Sequence, residues 1–176
     1  MAVTTAQIKE LRERTGAGPL ECKKVLEQAD GNLDAAIKLL RERGLAVAAK
    51  KSSREAREGR IEVYVHPGNK IVAIVELNCE TDFVGRNEAF IQLAKDIALH
   101  VAALNPKYLN SDEVPQSEID DSDATSPQKY YEEVVLLEQP FVRQPSLTIG
   151  EMVRDTIAKT GENVVVRRFQ RLEIGS

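Results

Sequence analysis

A helical stripe lying directly behind an apolar run limits the folds open to this chain. Phe90, Leu93, Ala94, Ile97, Ala98, Val101 and Leu104 recur at helical spacing, which predicts a long amphipathic helix over about 87–104. Residues 70–77 are almost continuously apolar, the pattern of a central strand covered on both sides. Upstream, Ile61, Val63 and Val65 alternate with Glu62, Tyr64 and His66, so a second strand is expected to have one wet face. Pro67-Gly68-Asn69 supplies the turn between them. Residues 163–169 are β-branched and apolar and offer a third strand. The order strand, strand, helix, helix, helix, strand predicts an α+β body: a small, mainly antiparallel three-stranded sheet with packed helices.

The junction between the apolar run and the long helix is Asn78-Cys79-Glu80-Thr81-Asp82-Phe83-Val84. Such junctions are normally small and polar, yet this one sets a phenylalanine beside a carboxylate. Two readings are open. Phe83 packs over the sheet edge while Asp82 caps the helix. Alternatively, ring and charge are held outward on a stiff support, as a wedge for another molecule.

Residues 4–45 read as three short helices. Thr4 and Gln7 have capping-box spacing, with Ile8 and Leu11 on one face. Thr15-Gly16-Ala17-Gly18-Pro19 breaks the chain, and Pro19 suits the first position of helix two. Cys22, Val25, Leu26 and Ala29 form its stripe. Asp30-Gly31-Asn32 is a turn from which Asn32 caps helix three. That helix carries Leu33, Ala36, Ile37 and Leu40 and is expected to stop before Gly44. The pattern resembles the ubiquitin-associated (UBA) three-helix bundle, whose first loop and helix-three end form a partner-binding surface. The expected organisation is a UBA-like head at 1–46, a solvated linker at 47–59, either irregular or helical, and an α+β core, the dimerisation domain, at 60–176. Residues 105–128 read as a solvated acidic loop, because they lack the glycine and terminal glutamate of a calcium loop. Ser126-Pro127 starts a helix to about Glu138, and Thr148 with Glu151 forms a second capping box before a helix ended by Gly161.

Charge is asymmetric. The first 60 residues hold 13 Lys and Arg against 9 Asp and Glu, whereas the rest holds 11 against 19. A basic head on an acidic body favours an oriented encounter with a charged partner, and the formal net charge of −4 argues against general nucleic-acid binding. Cys22 and Cys79 have no Cys or His at metal or disulfide spacing, so no metal site or cofactor is implied and a reducing compartment is expected. With no apolar leader at its start and no apolar run of spanning length, the chain is expected to be cytoplasmic and free of the membrane. An enzyme using Cys79 or His66 would need a base or metal partner that the spacing does not supply.

Three motifs in order resemble the elongation factor Ts family: Thr15-Gly16-Ala17-Gly18 with Cys22-Lys23-Lys24, the 78–84 junction, and Gly161-Glu162-Asn163-Val164-Val165-Val166-Arg167-Arg168. Members of that family are nucleotide exchange factors for the GTPase elongation factor Tu and do no covalent chemistry. The resemblance covers nearly the whole chain and implies a short form, without the second core half and C-terminal extension of longer members. It implies that Thr81, Asp82, Phe83 and Val84 dislodge the magnesium ion of the partner GTPase. It also implies that Arg12, Gly18, Pro19, Leu20 and Lys23 belong to a surface that docks on the nucleotide domain. A body lacking its second half is expected to pair with another copy as a homodimer. The alternative is a UBA-type adaptor without exchange activity.

Overall fold

The structure, a computed structural model, describes residues 3–15 and 17–176; Gly16 of the first loop lies outside them. Helices α1 (Thr5–Thr15), α2 (Pro19–Gln28) and α3 (Leu33–Lys51) form the head. Thr4 and Gln7 exchange hydrogen bonds, with the Thr4 N–H donating to Gln7 Oε1 at 2.9 Å and the Gln7 N–H donating to Thr4 Oγ1 at 3.2 Å. Asn32 Oδ1 caps α3 by accepting from the Ala35 N–H at 3.0 Å. Leu11, Cys22, Val25, Leu26 and Ala36 make the buried centre of the bundle.

Helix α3 does not stop before Gly44 but runs on to Lys51. A glycine inside a helix costs only about 1 kcal/mol, a weak signal that tertiary packing overrides. Here Gly44 is buried, α3 packs along α8 (Ile149–Thr160), and Val47 and Ala48 lie against the core of the body. Part of the stretch expected to be a solvated linker is therefore a packed helix that couples head to body.

The body's sheet has the order β1 (Glu58–Val65), β2 (Ile71–Cys79), β5 (Val165–Glu173), antiparallel throughout, with β2 in the centre. Helix α5 (Glu88–Leu104) crosses one face of it. Ala73, Val75, Leu77 and Cys79 meet Phe90, Leu93, Ala94, Ile97, Ala98 and Val101 in the main core. Gly59 has a φ of 141°, and a Cβ there would sit 2.1 Å from the Leu77 carbonyl oxygen, so only glycine allows β1 to approach β2 so closely.

The other face of the sheet is open. β2 is not covered on both sides, and the exposed face of β1 is the apolar one: Ile61, Val63 and Val65 are each about half exposed or more, while Glu62 and Tyr64 turn toward α5. Alternation defines two faces but not which one the helix covers. Register extends the apolar face across the sheet, because Val63 pairs with Ile74 and Val65 with Val72, which in turn opposes the exposed Leu172.

Residues 105–128, expected to be a solvated loop, fold into a satellite cluster. Glu118 accepts from the hydroxyls of Tyr108 at 2.7 Å and Tyr130 at 2.8 Å, over a small core of Val114, Tyr130, Val134 and Val135. Hydrogen bonds from the two phenols lower the Glu118 pKa, and the same bonds, then burial, then the carboxylate charge, raise theirs, Tyr108 to about 12. Besides short α6 (Gln116–Asp120), helix α7 (Pro127–Val134) ends four residues before the expected Glu138. A small hairpin then follows, β3 (Pro140–Phe141) with β4 (Gln144–Thr148). The Thr148–Glu151 capping box that starts α8 is present, and Gly161 in the left-handed region ends that helix. His100 is fully buried; its Nε2 lies 2.9 Å from Gln139 Oε1, and its Nδ1 accepts from the Val142 N–H at 3.2 Å. Burial lowers its pKa, so it is a neutral core histidine.

Candidate functional site

The 78–84 junction ends in a single turn of helix, α4 (Asp82–Gly85), wedged between β2 and α5. Thr81, not Asp82, is its N-cap, with Oγ1 accepting from the Val84 N–H at 3.5 Å. Val84 points inward and joins the main core, which anchors the turn. Phe83, one residue earlier on the turn, points outward and is 82% exposed. It does not pack over the sheet edge. Asp82 is also exposed, and its carboxylate takes a 2.8 Å hydrogen bond from the more exposed Arg86. Of the four junction residues singled out in the sequence, two thus face solvent and two hold them there.

The turn is clamped from behind. Glu162 Oε2 accepts from the backbone N–H groups of Glu80 at 3.1 Å and Thr81 at 3.0 Å, and Oε1 accepts from the Thr81 hydroxyl at 2.6 Å. In return, Glu80 Oε1 accepts from the Asn163 N–H at 2.6 Å. The Asn163 side chain donates to the Arg54 carbonyl at 2.7 Å, and the Arg54 guanidinium lies 3.4 Å from Glu80 Oε2. The backbone hydrogen bond from Asn163, then the charge of Arg54, lowers the pKa of the Glu80 carboxyl, which favours its charged, accepting form. Gly161-Glu162-Asn163 stood in the sequence only as part of a motif. The bonds it makes, across more than eighty residues, leave no local pattern.

Cys79 lies under the turn and donates its thiol to the Thr81 carbonyl at 3.1 Å. Burial, followed by the Glu162 charge, pushes its pKa up to about 11, so it is a protonated packing group and not a nucleophile. His66 sits on the surface, with its Nδ1 3.3 Å from the Tyr64 hydroxyl. Among the described residues no group of three His, Cys, Asp or Glu side chains is arranged to hold a metal.

In the head, Arg12, Gly18, Pro19, Leu20 and Lys23 are all exposed, gathered where α1 ends and α2 begins. Leu20 is an apolar side chain that is 76% exposed, and Arg12 and Lys23 are exposed cations. Lys23 also lies 3.8 Å from Glu27 one turn on, an exposed pair of little energetic weight. This patch and the Phe83 turn are on separate elements, joined through the packing of α3 on α8.

A family model described as elongation factor TS matches residues 6–126. Elongation factor Ts of Herpetosiphon aurantiacus is 56% identical over 197 aligned residues, covering all of both chains. The chain belongs to the elongation factor Ts family. The same protein of Thermodesulfovibrio yellowstonii is 47% identical, covering 99% of this chain and 98% of its own length. That of Heliobacterium modesticaldum is 46% identical, covering 98% of this chain and 90% of its own. Membership of the elongation factor Ts family puts the chain among the translation elongation factors. The family match spans most of the head, β1, β2, the Phe83 turn and α5, while Glu162 and Asn163 of the clamp lie beyond it.

Proposed function

We propose that this chain is a guanine nucleotide exchange factor. It binds elongation factor Tu in its GDP-bound state and promotes GDP release by dislodging the bound magnesium ion, after which GTP rebinds. The observation that carries this reading is Phe83, 82% exposed on a turn whose neighbours Thr81 and Val84 are fixed from within. A large ring kept in water on a rigid base is pre-organised for a pocket in another protein, so little ordering entropy opposes its insertion. The ring separates helices of the GTPase, and Asp82 lies near the segment that seats the magnesium. Once the cation is lost, the diphosphate is held weakly. No bond is made or broken by the factor. By linkage, the factor must bind the nucleotide-free GTPase far more tightly than the GDP form, by the same ratio as it weakens GDP.

The exposed cluster of Arg12, Gly18, Pro19, Leu20 and Lys23 docks the head on the nucleotide domain and raises the effective concentration of the ring at its target. The open apolar face around Ile61, Val63, Val65 and Leu172 supports pairing of the core with a second copy, giving a cytoplasmic homodimer. No helix among the described residues is long and apolar enough to cross a membrane. Stopped-flow release of fluorescent GDP from the GTPase, with and without this chain, tests the exchange reading: an unchanged rate overturns it. Sedimentation tests the dimer, which a concentration-independent monomer mass with full exchange activity would rule out.

A further inference from the structure

We infer that Glu162 is a positioning residue for nucleotide exchange: its carboxylate fixes the backbone from which Asp82 and Phe83 project. The inference rests on the exchange reading above. Three observations carry it. The Phe83 turn has four residues, and an isolated turn of that length does not hold itself together in water. One side chain, Glu162, supplies three of the hydrogen bonds that fix its entry, to the Glu80 and Thr81 N–H groups and the Thr81 hydroxyl. The third is the arm that matters for orientation, because the same Thr81 Oγ1 accepts from the Val84 N–H and so sets the first turn of α4. Among the described residues Glu162 makes no hydrogen bond or ion pair with Asp82 or Phe83, and it is half-buried behind the turn, so it acts on the partner through them.

The geometry also shows why a glutamate stands here. Both oxygens are used, each toward a donor, on a carboxylate that reaches across from the end of α8. Glutamine keeps the length: its oxygen accepts from the two backbone donors and its NH2 turns toward the Thr81 oxygen. Aspartate is one methylene too short to reach. Alanine leaves two backbone N–H groups and a hydroxyl without their acceptor. A misplaced ring presents the same chemistry in the wrong attitude. Docking through the head therefore persists while the productive state becomes rarer.

The test measures stimulated GDP release against factor concentration for the full-length protein, Glu162→Ala, Glu162→Gln, Glu162→Asp, Thr81→Val and Phe83→Ala, each well below its melting temperature. The expected result for Glu162→Ala is a maximal rate lowered about tenfold, with the half-saturating concentration changed less than about twofold. Glutamine restores the rate to within about threefold of the unsubstituted protein, and aspartate does not. A purely structural role moves the melting temperature without that split or that rescue. If Glu162→Ala fails to fold, Thr81→Val carries the test, since it removes one arm of the clamp at nearly constant volume; a rate equal to the unsubstituted protein overturns the inference. Phe83→Ala separates the two layers of the argument. If it leaves the rate unchanged, the reading of Phe83 as the wedge fails, whereas no stimulation by the unsubstituted chain would overturn exchange itself; if Phe83→Ala slows release while Glu162→Ala does not, only the positioning role fails.

Discussion

In Phe83→Ala, a ring that is 82% exposed is lost from a turn whose backbone stays held by Glu162 and by the buried Val84. Full burial of a phenylalanine stabilises by about 2–3 kcal/mol, so the small covered part of this ring contributes about 0.4 kcal/mol to the fold. In a chain of this size that lowers the melting temperature by about 1 °C. The exposed part has about 2 kcal/mol still to gain, and it gains it only in a pocket of the partner. Loss of that term corresponds to about a 30-fold slowing of stimulated GDP release. The assay pairs a thermal melt with stopped-flow release of fluorescent GDP. A melting temperature lowered by ten degrees would mean that the ring packs on its own chain, and an unchanged release rate would mean that it is not the wedge. Either result refutes the reasoning.

Ile97→Ala is the contrasting case: Ile97 is fully buried between α5 and the sheet, so the substitution costs about 2–5 kcal/mol and shows as a melting temperature lowered by about 10 °C. Val63→Lys sits on the open face, so it is expected to leave the melt of the isolated chain nearly unchanged while weakening self-association by about 100-fold or more in sedimentation, because a charge would be buried unpaired between copies. Asp155, in the cleft between α3 and α8, has its pKa raised by burial, partly offset by Lys159 and Arg41 and reinforced by Glu151. Its charged form is therefore disfavoured in the fold, a penalty absent at low pH that appears as pH rises through the raised value. Asp155→Asn is expected to raise the melting temperature at neutral pH and to make no difference in acid.

Much of this architecture was legible because its signals are local. The caps at Thr4, Asn32 and Thr148, the proline opening α2 and the stripe of α5 each rest on residues within a turn or two of one another. What failed was non-local. Gly44 looked like a stop until Val47 and Ala48 found the core of the body. The β3–β4 hairpin was missed because Pro145 lies inside β4, and a proline argues against a strand unless it lies at an edge. The candidate turn was visible as an odd pair, Asp82 beside Phe83, but which way the ring points depends on Val84 turning in. Glu162 was invisible as a separate residue, because its partners are backbone groups of another segment.

The open sheet face and Phe83 are exposed apolar surfaces of different shape, and on the proposed reading they call for different partners. The sheet face is broad, with branched side chains on all three strands and an ion pair, Glu76 with Arg168 at 2.6 Å, at one end. A broad face gains from an equally broad mate, and a copy of itself supplies one with the same outline. Phe83 is a single ring on a tight turn, flanked by Asp82 and Arg86, and a flat mate would leave most of it in water. It needs a cleft. On the proposed exchange reading, the cleft that takes the ring is one that opens in the partner as the ring enters. That work is drawn from the ring's own burial and is available only if the ring arrives already oriented. The clamp on residues 80 and 81 and the exposure of Phe83 are thus two halves of one design: stiffness without an exposed ring has nothing to insert, and an exposed ring without stiffness folds back onto its own surface.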